Sequence, residues 1–186
     1  MAQDLTGKKV AILVANGFEQ VELTQPREAL DKAGAETHIV SPESDRVQGW
    51  NHYDKADYFP VDVDLEKAKA SAYDALLLPG GTVNPDQLRV NEKAIAFVKA
   101  FFEANKPVAA ICHGPWSLAE ADVVKGRKLT SWPSLRTDLQ NAGGLWVDQQ
   151  VVNDRGLITS RNPDDIPAFN QKMIEAIAAT KQPVSA

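Results

Sequence analysis

The chain has 186 residues, 44% of them hydrophobic and 24% charged, with a formal net charge of -5. That is enough for one globular domain spanning 1–186 with a sizeable core, and the acidic balance argues against a nucleic-acid or anionic-membrane partner. A single cysteine, three scattered histidines, no basic-then-apolar leader and no long apolar run exclude a disulfide framework, a Cys-rich metal site and a membrane span; the expectation is a cytoplasmic protein without metal or cofactor.

Residues 9–14 form a short apolar run read as a buried strand, broken by Gly17. Thr24 and Pro26 read as a helix start, with a helix over 27–33 stopped at Gly34. Residues 37–40 give a second strand, and strand–helix–strand within about 30 residues is a βαβ unit, hence a parallel sheet. The polar stretch 43–63 is expected to form a hairpin or an excursion beside that sheet. A third strand at 75–78 stops at Pro79-Gly80-Gly81, with a loop expected to run on to Asp86. Asn91 caps a helix reaching residue 104, with Glu92 in its first turn. A fourth strand at 107–111 runs into Cys112-His113-Gly114-Pro115, followed by a helix over 116–121. Lys125-Gly126-Arg127-Lys128 reads as a solvated turn. Short strands are expected at 129–131, 146–147, 151–152 and 157–159, and a last helix over 166–179. The tail 181–186 is expected to fray. The alternation predicts a three-layer α/β sandwich with a mostly parallel sheet, whose sites lie beyond the carboxyl ends of the strands, in the loops 15–20, 79–86 and 112–115.

Cys112 ends a buried strand and precedes a helix. A sharp strand-to-helix turn lifts a side chain above the sheet, and a helix N-terminus favours a thiolate. The competing expectation is a small buried hydrophobe. His113 is either a turn histidine satisfied by backbone or a base that needs an orienting group. Glu19 and Glu22 follow the first strand; Glu22 is expected to be a surface carboxylate, whereas Glu19 lies nearer the loop. Gly80 and Gly81 could present backbone N–H groups to an oxyanion, although Pro-Gly-Gly also makes an ordinary turn. Asp86 reads as a helix-entry or solvated residue.

Six segments occur together in order: Gly17-Phe18-Glu19-Gln20-Val21-Glu22-Leu23, Leu78-Pro79-Gly80-Gly81, Arg89-Val90-Asn91-Glu92, Ala110-Ile111-Cys112-His113-Gly114-Pro115, Gly126-Arg127-Lys128-Leu129-Thr130-Ser131 and Thr159-Ser160-Arg161-Asn162-Pro163-Asp164-Asp165. In this the chain resembles the PfpI/ThiJ family, and within it the PfpI-type intracellular protease and deglycase branch. The resemblance implies a flavodoxin-like sandwich, a nucleophilic Cys112 on a strained elbow, Glu19 hydrogen-bonded to the sulfur, and Gly81 and His113 as N–H donors to an oxyanion. It further implies a homo-oligomer, dimer or hexamer, in which a carboxylate from a neighbouring subunit completes the triad with His113; that position is Asp86, a methylene shorter than the Glu of the archaeal prototype. Trp132 stands where Tyr is common. The activities implied are addition of the thiol to a small carbonyl or glycated adduct, as in glyoxalase or deglycase chemistry of the stress response, or peptide hydrolysis. The alternative is a non-enzymatic redox sensor or holdase built on an oxidisable Cys112.

Overall fold

The computed structural model describes residues 3–180. The 181–186 tail lies outside the described residues. In chain order the elements are β1 (Lys9–Leu13), β2 (Phe18–Glu19), α1 (Gln20–Lys32), β3 (Glu36–Ser41), β4 (Arg46–Asn51), β5 (Asp54–Pro60), β6 (Val63–Asp64), β7 (Ala75–Leu78), α2 (Val83–Arg89), α3 (Glu92–Glu103), β8 (Val108–Ile111), α4 (Pro115–Glu120), β9 (Lys128–Leu129), α5 (Arg136–Asn141), β10 (Leu145–Trp146), β11 (Val151–Asp154), β12 (Leu157–Ser160) and α6 (Ile166–Ala178).

The main sheet has the order β11-β12-β8-β7-β1-β3-β6 and is parallel except where β11 pairs with β12. Its central strands are apolar on both faces, because helices cover both. Ala11, Leu13, Leu76, Leu78, Val108 and Ala110 face the layer that includes α3 and α4, where Phe97, Phe101 and Leu118 are buried. Their neighbours Val10, Ile12, Leu77, Ala109 and Ile111 face Leu23 and Leu30 of α1 and Phe169 and Met173 of α6. The fold is therefore the expected three-layer α/β sandwich. After β1 the chain moves outward to β3, then crosses back to β7 on the other side of β1 and on to β8. This reversal opens a crevice at the carboxyl ends of β1, β7 and β8.

The stretch 43–63 is indeed a hairpin beside the sheet: β4 and β5 pair antiparallel and add to β2. The Asn91 cap is present, its side chain accepting from Lys93 N and Ala94 N. Two helices, α2 and α5, occupy segments with no expected element. The largest departure is α1, which starts at Gln20 rather than near Thr24 and carries Pro26 within it. Pro26 resembles a first-turn proline, but it sits on the buried side, where the cost of its missing N–H is offset by packing. This early start decides which carboxylate reaches the crevice.

Candidate active site

Cys112 follows β8 directly and adopts φ +60°, a left-handed conformation that costs a non-glycine residue roughly 1–2 kcal/mol. Three backbone bonds hold it there. Cys112 N donates to Ser160 O at 3.1 Å, Gly114 N donates to Ile111 O at 2.9 Å, and Trp132 N donates to Cys112 O at 2.9 Å. The elbow expected from the sequence is thus built by β12 on one side and the segment after β9 on the other. On the β12 side, Arg161 forks onto the buried Asp165 carboxylate at 2.9 and 3.0 Å, fixing the chain just beyond Ser160.

The loop after β7 closes the crevice. Asn84, fully buried, donates to Pro79 O and Gly80 O at 3.0 and 3.1 Å and accepts from Ala15 N at 2.7 Å, tying this loop to the end of β1. Gly81 has φ +76°, and a Cβ there would lie 2.6 Å from Gly17 O; a Cβ on Gly80 would lie 2.5 Å from Glu22 Oε2 and 2.7 Å from Cys112 Cβ. Both positions therefore demand glycine.

Glu22, not Glu19, is the carboxyl beside the sulfur. Because α1 begins at Gln20, Glu22 falls in its first turn on the stripe formed with Leu23, Pro26 and Leu30, and it is fully buried. Its Oε2 accepts from Gly80 N at 2.8 Å, while Oε1 meets no hydrogen-bonding group in good geometry among the described residues. Burial, offset in part by the Gly80 N–H, pushes this carboxyl up to about 8. Glu19 instead turns its Oε2 to the hairpin, accepting from His52 N at 3.1 Å, with His52 Nδ1 3.9 Å away. It does not hydrogen-bond the sulfur, contrary to expectation. The Glu22 signal in the sequence was a carboxylate lying in an apolar stripe at helical spacing.

The thiol of Cys112 is 6% exposed and held above its ordinary range, by burial first and by a charged Glu22 second. The backbone N–H groups of Gly81 and His113 act in the opposite direction. The helix-end stabilisation of a resting thiolate expected from the sequence is therefore outweighed. Glu22 and Cys112 titrate as a coupled pair, in which two negative charges are excluded. When Glu22 keeps the proton, its repulsion vanishes and the two N–H groups favour the thiolate. Gly80 contributes differently from expectation, since Glu22 occupies its N–H.

His113 is buried, which holds its imidazole down at about 4, so it is neutral near pH 7. Its Nδ1 lies 3.2 Å from Cys112 Sγ, and its Nε2 lies 3.4 Å from Ser134 Oγ. Trp132 stacks on the ring at 5.8 Å and 23°, and Trp116 meets it edge-on at 5.6 Å. Asp86 is exposed on α2, a helix rather than the expected loop, and no carboxylate of this chain pairs with His113 among the described residues. Nor do the described residues include a cluster suited to a metal ion, or a helix long and apolar enough to cross a membrane.

Residues 8–176 match the DJ-1/PfpI family. General stress protein 18 of Bacillus subtilis is 43% identical over 171 residues, covering 90% of this chain and 96% of the relative. A deglycase of Pyrococcus horikoshii is 41% identical over 169 residues, covering 91% and 99%. The crystal structure of Drosophila melanogaster DJ-1beta superposes with a TM-score of 0.83 at 28% identity, covering 93% of this chain and 91% of that one. The chain belongs to the DJ-1/PfpI family.

Proposed function

We propose that this protein is a cysteine-dependent enzyme acting on small reactive carbonyls or their glycated adducts, with Cys112 as nucleophile. The observation that carries the reading is the elbow: a cysteine at φ +60° whose sulfur lies 3.2 Å from the ring nitrogen of a neutral imidazole. The relatives named as a deglycase and a general stress protein support the same chemistry and a role under stress.

In the first step the sulfur forms a bond to the carbonyl carbon while the C=O π pair moves to oxygen. The S–H proton passes to His113 Nδ1 and then to that oxygen, giving a neutral hemithioacetal. Gly81 and His113 N–H groups stabilise negative charge as it passes between sulfur and oxygen. Protonated Glu22 removes the like charge that would oppose this. No step requires a charged imidazole at rest, which suits a histidine with a depressed pKa and no carboxylate partner among the described residues.

Peptide hydrolysis asks for more, because the departing amine must be protonated. In this reading it is open only to a homo-oligomer in which a second copy presents Asp86 to His113. The test offers wild type and Cys112→Ser methylglyoxal, a glycated peptide and unfolded casein in parallel. Turnover of the first two by wild type alone is expected. Casein cleavage without carbonyl turnover would replace the proposal with proteolysis. Inertness toward all three, with two oxygen atoms gained at Cys112 under mild peroxide, would replace it with a redox sensor.

A further inference from the structure

The base of this site needs an orienting group, and no carboxylate pairs with His113 among the described residues. The segment that follows β9 supplies another candidate. Trp132 N donates to Cys112 O at 2.9 Å, so this segment is pinned to the elbow itself. It is held from behind by Ser131, whose Oγ donates to Trp132 O at 2.8 Å and accepts from Trp146 Nε1 at 2.9 Å. The next turn, Pro133–Leu135, is a single 3-10 turn, with Leu135 fully buried as its anchor. That turn places Ser134 Oγ 3.4 Å from His113 Nε2, while Trp132 covers the ring face.

We propose that Ser134 is a positioning residue for His113: its hydroxyl oxygen accepts the Nε2 proton and keeps Nδ1 free as the acceptor facing Cys112. The proposal rests on Cys112 being the nucleophile, but its central claim concerns a ring tautomer that can be read without any turnover. A neutral imidazole carries one proton. With the thiol protonated, S–H can donate to Nδ1 only in the form whose ring proton is on Nε2, and Ser134 Oγ is the acceptor within reach that favours that form. The serine is exposed, so its own proton turns to solvent. A hydroxyl, unlike a carboxylate, selects the tautomer without stabilising an imidazolium. The arrangement therefore suits a base that accepts a proton briefly and returns it. It also places the orienting group in the same chain as the nucleophile.

The experiment compares wild type, Ser134→Ala and Ser134→Thr by ring 15N NMR at pH 7, assigning His113 with a His113→Asn sample, and by carbonyl turnover across pH 5–9. The expected result is a single Nε2–H tautomer in wild type and Ser134→Thr, and a tautomer mixture in Ser134→Ala. Turnover should fall about 3- to 10-fold in Ser134→Ala, the worth of one neutral hydrogen bond, and return in Ser134→Thr. An unchanged tautomer in Ser134→Ala, or an equal loss in both variants, would overturn the proposal. Should wild type turn over no carbonyl at all, the functional reading fails while the tautomer comparison still decides this one.

Discussion

Two histidines of this chain are held in contrasting ways. His38, near the start of β3, has both ring nitrogens engaged: Nε2 lies 3.0 Å from Glu36 Oε1 and Nδ1 lies 3.1 Å from the Tyr73 hydroxyl. It has a carboxylate and an aromatic edge contact with Tyr73, but no nucleophile. His113, beyond the end of β8, has a thiol on one nitrogen, a hydroxyl near the other and no carboxylate partner among the described residues. Both rings have aromatic neighbours, so aromatic packing alone does not make a site. What distinguishes the end of β8 is a protonated sulfur on a strained residue among groups that avoid permanent charge.

The sharpest way to break this contrast is to remove the sulfur. Cys112→Ser should lower carbonyl turnover by about 10⁴-fold or more while leaving the thermal midpoint close to wild type; activity retained in that variant would move the chemistry elsewhere. The next effect is on stability. The Glu22 carboxyl sits at about 8 when folded against an ordinary 4.5, so its contribution is complete below about pH 4.5 and is lost as pH climbs through about 8. Urea denaturation should show wild type losing roughly 3–5 kcal/mol across that window, and Glu22→Gln, which has no proton to lose, should flatten the curve. Parallel curves for the two proteins would mean that Glu22 is ionised throughout. Gly80→Ala should cost about 1–3 kcal/mol, since its methyl group would meet Glu22, Cys112 and the Ile111 carbonyl at 2.5, 2.7 and 2.8 Å. Glu36→Gln, at the other histidine, should leave turnover within about twofold of wild type in the same assay.

The architecture was legible because apolar runs and glycine stops mark the strands, and because Cys112 sits where such a strand ends. The carboxylates were not. Pro26 imitates a helix start, and reading α1 from Thr24 leaves both Glu19 and Glu22 in a loop, where nearness to the strand favours Glu19. Starting the helix at Gln20 reverses their roles, because one turn swings Glu22 onto the sheet. Ser134 was beyond reach for another reason: nothing local in Trp132-Pro133-Ser134 announces that a backbone bond to Cys112, twenty residues away, will fold this segment over His113.

The stack of Trp132 on His113 has a practical corollary. An imidazole that gains a proton withdraws electron density from an excited indole in contact with it, dimming its emission. With Trp132 nearly parallel to the imidazole at 5.8 Å and Trp116 edge-on at 5.6 Å, two of the four tryptophans become a native optical gauge of whether the neighbouring imidazole is charged, readable in unlabelled protein as the solution is acidified.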